Sequence, residues 1–301
     1  MVFIAVWAPA ANAAAQTLQY GMNTRVLTPQ IGDKMRELGA TLVRLPYGWD
    51  VIEPACKGCF DWATTDAWRD EAKRSRLTIF GSLAYAPRWA NGGHPFNYPP
   101  LVLQDWYDFV FATVSRYKDD ISLWGVWNEA DLDEFLKGRS VELYTRLVAT
   151  ARAAIVAANP RALVLGPDLS WHSSHDGWFP AVMGSSGALF DIVTVHWYAD
   201  APPLDQWMDT LVLPFVGGKP VWLSETGMRS CQTFFGEIGQ ALFYRQVLEG
   251  IYPRRHWLGA LMFYEMHKAA DDRSCGSAIT RDDWSNSPAF SQMQSFIRAH
   301  R

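Results

Sequence analysis

The sequence predicts a single (β/α)8 barrel, and three observations carry that prediction. Eight short apolar runs alternate with helical patterns along the chain, and this alternation is the signature of a parallel sheet. The runs are near-continuous stretches of hydrophobic residues, as parallel strands buried on both faces are. The 301 residues, 49% of them hydrophobic, exceed the ~250 typical of one such barrel and leave room for loops. No Gly-rich phosphate loop follows the first run, so an open nucleotide-binding sheet has little support. No composition shift, low-complexity segment or repeat beyond the βα unit marks a second domain, and residues 16–301 are expected to form one catalytic barrel.

The elements follow in order. Leu18-Gln19-Tyr20-Gly21-Met22-Asn23 reads as strand one, and residues 30–38 as a helix that Gly39 stops. Thr41-Leu42-Val43-Arg44-Leu45 is strand two, left through Pro46-Tyr47-Gly48-Trp49. A loop with Cys56 and Cys59 leads to a helix over residues 64–75 and to strand three at 77–83. Residues 86–101 form a long loop rich in Pro, Gly and Asn, and such loops are usually functional. Trp106, Phe109, Val110, Thr113, Val114 and Tyr117 recur at helical spacing. Strand four, 121–127, ends in Asn128-Glu129, and a helix over 141–158 stops before Pro160. Strand five is 162–166, and 178–184 is a short helix. Strand six is 191–195 and leads into His196-Trp197-Tyr198; residues 203–213 are helical. Strand seven, 220–225, ends at Glu225, and Ile238, Ala241, Leu242, Leu248 and Ile251 mark the next helix. Strand eight, 258–263, leads into Tyr264-Glu265, and a last helix covers 287–299.

The net charge of −4 gives no basic footprint for nucleic acid. No run beyond the N-terminus is long enough to span a bilayer. Residues 1–15 look like the apolar region and small-x-small cleavage site, Ala11-Asn12-Ala13, of a secretory signal without its basic leader, so the chain is expected to begin inside the signal. A secreted or periplasmic protein follows, expected to be a monomer. Four cysteines suit an oxidising compartment and suggest two disulfides, although four allow three pairings. The pairs Cys56-Cys59 and Cys231-Cys275 are a guess among these. One CxxC alone disfavours a zinc site, and its place in a loop disfavours a redox site.

In such a barrel the reactive residues stand at the C-terminal strand ends. Asn23, Arg44, Asn128, Glu129, Asp168, His196, Tyr198, Glu225 and Glu265 all fall there. Glu129 and Glu225 come from strands that face each other across the mouth. Two such carboxyls are the minimum equipment for cleaving a glycosidic bond: one donates a proton to the leaving oxygen, the other attacks or stabilises the anomeric carbon. Asp168 and Glu265 fit a functional role or a solvated loop carboxylate equally well. Fifteen tryptophans are many for this length, and Trp49, Trp89, Trp171 and Trp197 fall in loops on the active face. Each could be core or sugar platform, and at least one is expected to stack on substrate; Trp89 and Tyr264 are the named candidates. His172-Ser173-Ser174-His175 lacks a third ligand and is read as solvated rather than metal-binding, and no cofactor motif stands out.

Trp127-Asn128-Glu129 closing strand four and Ser224-Glu225-Thr226-Gly227 closing strand seven resemble clan A of the glycoside hydrolases, (β/α)8 enzymes that retain anomeric configuration. The resemblance covers nearly the whole chain. Arg44-Leu45-Pro46 is similar to the clan's arginine position, and His196-Trp197-Tyr198 to its strand-six histidine and tyrosine. Within the clan, Met262-Phe263-Tyr264-Glu265, Ile279-Thr280-Arg281-Asp282 and Ser287-Pro288-Ala289-Phe290 look most like family thirty-nine and its neighbours, with family five next. The resemblance implies Glu129 as acid/base and Glu225 as nucleophile. It implies that Asn128 binds the sugar 2-hydroxyl, that Tyr198 and Arg44 keep the nucleophile ionised, and that His196 shapes subsite −1. The chain departs from the pattern where many members carry a tryptophan platform after strand eight; here Phe263-Tyr264-Glu265 stands. The chain ends soon after its last helix, and the β-sandwich attached in some family thirty-nine enzymes is not expected. The substrate implied is a β-linked oligo- or polysaccharide, with an exopolysaccharide favoured by analogy. The rivals are a non-catalytic glycan-binding barrel and a transglycosylase using the same residues.

Overall fold

The computed structural model describes residues 18–254, 257–268 and 276–300. The expected signal segment, residues 1–15, and Cys275 lie outside them. Eight parallel strands close into a barrel in sequence order: β1 Gln19–Asn23, β2 Leu42–Gly48, β3 Thr78–Ala84, β4 Leu123–Val126, β5 Leu163–Leu169, β6 Ile192–Tyr198, β7 Val221–Gly227 and β8 Leu258–Tyr264. Around them pack α1 Pro29–Leu38, α2 Trp49–Ile52, α3 Ala63–Ser75, α4 Leu103–Tyr117, α5 Val141–Ala158, α6 Trp178–Ser186, α7 Leu204–Trp207, α8 Glu237–Ile251 and α9 Pro288–Ala299. The single (β/α)8 barrel read from the sequence is the observed fold.

Local chemistry sets the helix ends. The hydroxyls of Thr28 and Ser140 accept from the backbone N–H of Ile31 and Leu143, capping α1 and α5. Gly39 ends α1 at φ 91°, a left-handed turn that costs glycine nothing. The helix expected over 203–213 breaks up: α7 gives way to a π turn at Met208–Val212 and a 3-10 turn at Leu213–Phe215. Pro214 accounts for the break, because it has no N–H to donate back into the helix.

The core has two layers. Most buried apolar residues lie between sheet and helices. A smaller set fills the barrel itself: Leu42, Phe80, Leu123, Leu165, Ile192, Trp222, Ala260 and Met262. Gly125 makes room for this plug, since a Cβ there would stand 2.7 Å from the Phe80 ring. The plug floors the barrel at one end, and polar residues take over towards the C-terminal mouth.

Strands two, five, six and seven run further than their apolar patterns predict. Pro46–Gly48, Pro167 and Leu169, His196–Tyr198 and Thr226-Gly227 still pair with neighbouring strands. Two irregularities matter for the site. Leu223 and Glu225 pair with consecutive residues Val195 and His196, so Ser224 is an extra residue in β7. Pro167 and Leu169 pair with consecutive residues Thr194 and Val195, so Asp168 is an extra residue in β5. Such bulges re-aim side chains that strict alternation would send to the other face. Cys56 and Cys59 are bonded to each other, and Cys231 is also disulfide-bonded. Among the described residues, no helix is long and apolar enough to cross a membrane.

Candidate active site

A cavity of about 710 Å³ opens at the C-terminal ends of the strands, within the usual range for small-ligand sites. Asn23, Arg44, Asn128, Glu129, Tyr198, Glu225 and Tyr264 all line it. At its base Arg44 gathers four partners. Nη1 donates to Asn23 Oδ1 (3.1 Å) and Glu225 Oε2 (2.9 Å); Nη2 donates to Asn128 Oδ1 (2.8 Å) and Asp168 Oδ2 (3.2 Å). Its guanidinium carbon lies 5.5 Å from the centre of the Phe80 ring, at the top of the apolar plug. Burial works against the Arg44 charge, but Asp168 and Glu225 outweigh it and raise its pKa further. Because arginine can only donate, the Asn128 amide must turn its oxygen to Arg44, which leaves its Nδ2 donors for another acceptor.

Glu225 is therefore held on both oxygens: Arg44 donates to one and the Tyr198 hydroxyl to the other. The bulge at Ser224 makes this possible. Ser224 Oγ donates to Asp168 Oδ1 (2.5 Å) and its carbonyl accepts from Asn23 Nδ2 (2.9 Å), while the next side chain, Glu225, reaches the cavity.

Glu129 is held differently. Its side chain accepts from His196 Nδ1 at 2.9 Å, and its backbone N–H donates to the Asp168 carbonyl (2.8 Å). Trp127 and Glu129 both have left-handed backbones, φ 68° and 43°, as does Asp168 at 49°. Each such residue costs of order 1–3 kcal/mol, and such costs concentrate at functional sites.

His196 is fully buried and lies beneath Glu129, with Nε2 3.5 Å from Asp168 Oδ1. Burial alone would pull its pKa down. The carboxylates of Glu225, Asp168 and Glu129 reverse this and push it up to about 10. Burial would raise the Asp168 pKa, yet Arg44, His196 and Ser224 hold it well below the usual carboxylate range.

Glu129, His196 and Glu225 offer ligand atoms within 4.8 Å of one another, the spacing of a metal site. The chemistry argues otherwise. Arg44 and Tyr198 already take both Glu225 oxygens and His196 Nδ1 is bonded to Glu129 Oε1, so these atoms are spent on one another.

Trp89, expected to bind substrate, is not among the residues that line the cavity. Its indole N–H donates to the Glu53 carbonyl (2.8 Å), and its ring packs edge-on against Trp49, 5.5 Å away. Trp49 is itself buried, and Trp197 is buried against Phe243. Of the four loop tryptophans, Trp171 lines the cavity. The 86–101 loop contributes no residue to the lining; Asn91 Nδ2 closes it on itself through the carbonyls of Ala86 and Pro95. Asp168 and Glu265 are both buried, so neither is a solvated loop carboxylate. Tyr264 faces the cavity with its hydroxyl accepting from Arg25 Nε (3.1 Å) and Nη2 (3.0 Å).

Sequence reasoning missed Tyr85, which follows β3 and lines the cavity, although position alone could have found it. It also missed Ser224 as a structural link and Asp131, a buried carboxyl that accepts from the backbone N–H and hydroxyl of Ser170. Burial pushes the Asp131 pKa up to about 6, against the lowering effect of those hydrogen bonds.

A closed parallel barrel thus carries two glutamates over an arginine-centred network at its mouth. The profile of the glycosyl hydrolase catalytic core family matches residues 111–272, more than half of the chain, and the protein belongs to that family. No curated protein sequence matches the chain. Among solved structures it resembles a glucosidase from Croceicoccus marinus (TM-score 0.76, 17% identity, 94% of this chain covered). It also resembles a family 39 β-xylosidase from Caulobacter crescentus (0.73, 18%, 96%) and a family 39 glycoside hydrolase from the gut symbiont Bacteroides cellulosilyticus WH2 (0.71, 16%, 94%). The chain spans 68%, 73% and 64% of those three proteins' lengths, respectively. At these identities the likeness establishes the fold. The expected kinship with the glycoside hydrolases is borne out by the family match, and the likeness to family 39 structures is one of fold.

Proposed function

We propose that the protein is a retaining glycoside hydrolase that cleaves a β-linked glycan by double displacement. The observation that carries this reading is the distance between the two carboxyls. One oxygen of Glu129 and one of Glu225 lie within 4.8 Å of each other, an approach that supports the ~5–5.5 Å carboxyl spacing of retaining sites over the ~6.5–9.5 Å of inverting ones.

In the first step a Glu225 oxygen attacks the anomeric carbon as Glu129 gives its proton to the departing glycosidic oxygen. In the second, Glu129 takes a proton from water, and the water oxygen displaces Glu225 from the sugar. Arg44 and Tyr198 favour the charged nucleophile that leaves at the end of each cycle. Asn128, its oxygen committed to Arg44, presents donors to the sugar 2-hydroxyl. His196, beneath Glu129, holds the acid/base in place.

The β linkage follows the activity named for the Caulobacter crescentus relative, a β-xylosidase. A polysaccharide, such as an exopolysaccharide of the producing cell, is the proposed natural substrate, met by a secreted or periplasmic monomer. The test is a panel of aryl β-glycosides and polysaccharides with the anomer of the first product read by NMR. Retained configuration is expected; inverted product, or no turnover on any member, would sink the reading.

A further inference from the structure

We infer that Trp171 is the platform on which the leaving sugar ring lies, so that the site takes a saccharide, not a small alcohol, as its leaving group. The inference rests on the hydrolase reading above and adds a binding site to it.

Three observations carry it. The first is position. The leaving oxygen must lie within reach of Glu129, so the departing unit projects to the Glu129 side, away from Glu225. That side of the cavity is walled by Leu132 and Phe135, beyond Glu129, and by Ser170, Trp171 and His172 after β5. The two wall segments are joined by the buried Asp131 carboxylate, which accepts from Ser170 N–H at 2.9 Å and from the Ser170 hydroxyl. Trp171 is thus fixed relative to the acid/base, since Asp131 follows Glu129 by two residues and Ser170 immediately precedes Trp171.

The second is how the indole is held. The His172 ring stacks on Trp171 at 3.9 Å with planes 26° apart, and the His175 ring meets it at 5.7 Å, nearly perpendicular. The two histidines expected to be solvated therefore pack on a tryptophan, one ring stacked on it and the other set edge to face. The third is the turn beneath it. Ser173 Oγ donates to the Ser170 carbonyl (2.6 Å), Ser174 Oγ to the Trp171 carbonyl (2.7 Å), and the buried Trp207 donates its indole N–H to Ser174 Oγ (2.7 Å). An aromatic ring held rigid in a binding cleft loses little entropy on contact, and the apolar face of a pyranose suits it.

The test compares two substrates with the same reacting sugar. One is the β-linked oligosaccharide that the wild type cleaves best; the other is the matching glycosyl fluoride, whose leaving group covers no platform and needs no proton. Trp171→Ala is expected to lower kcat/KM on the oligosaccharide about 10- to 100-fold while changing the fluoride less than about two-fold. Trp171→Phe, which keeps a ring, is expected to recover most of the loss, and equal melting temperatures would show that each variant folds. A loss on the oligosaccharide under about three-fold, or a loss at least as large on the fluoride, overturns the assignment of Trp171 and leaves the hydrolase reading standing. A wild type inactive on both substrates, or Glu225→Gln retaining turnover, overturns the hydrolase reading and this inference with it.

Discussion

The ends of β4 and β7 deliver the same functional group by opposite means. Glu225 lies inside its strand, and a one-residue bulge turns it into the barrel, where Arg44 and Tyr198 take both of its oxygens. Glu129 lies three residues past the end of β4, in a left-handed backbone stapled to the Asp168 carbonyl and propped by His196. The first arrangement suits a nucleophile that must stay charged and still. The second suits an acid/base, whose carboxyl must hand a proton both ways.

The sharpest way to break the comparison is to remove each carboxyl in turn. Glu225→Gln should lower turnover by on the order of 10⁴-fold or more whatever the leaving group, because no covalent intermediate can form. Glu129→Gln should cost about 10²–10⁴-fold on an unactivated glycan and much less on an aryl glycoside whose phenol leaves without a proton. Azide should restore turnover to the Glu129 variant and give the β-azide. Equal losses on both substrates in that variant would remove Glu129 from the acid/base role.

The shared support can be broken next. Arg44→Met leaves Asp168 and Glu225 without their buried counter-charge, and a loss of about 3–5 kcal/mol is expected in urea unfolding. Unchanged stability would mean that the four-partner network carries little of the fold.

A pH titration then separates the two sides of the network. His196 has its pKa raised from 6.5 to about 10 by burial-opposing carboxylates, so its contribution to stability is complete below about pH 6.5 and is lost as pH rises through about 10. The stability advantage of wild type over His196→Gln should therefore shrink across that window. Asp168 runs the other way: its carboxyl is held below 3.8, so its contribution is present above that pH and is lost on acidification. An advantage over His196→Gln that widened with rising pH would rule out a charged imidazole under Glu129.

The smallest effect is expected at Trp89. Trp89→Phe should change kcat/KM by less than about two-fold, since the ring packs on Trp49 outside the cavity; a larger fall in substrate affinity would return it to the binding site.

Much of this site was legible from residue type and strand count. Eight apolar runs placed Glu129 and Glu225 at the C-terminal ends of strands four and seven, and Arg44, Asn128 and Tyr198 fell at the same end of the barrel. Trp89 and Trp171 were not separable that way, because both are loop tryptophans beside polar residues. Only packing decides that one spends its N–H on Glu53 while the other lines the cavity with a histidine stacked on its ring.

By itself, the sequence determined the barrel, its order of elements and the two carboxylates at its mouth, because apolar runs and helix stops are local properties of the chain. Tertiary structure alone decided where those carboxylates point. A period-two pattern sends Leu223 and Glu225 to the same face, and Asp168 to the face opposite Leu165 and Pro167. The extra residues at Ser224 and Asp168 overturn both, and a bulge exists only in relation to the strand it pairs with. The buried charge of His196 was decided in the same way, since three carboxylates from three other strands converge on it only when the barrel closes.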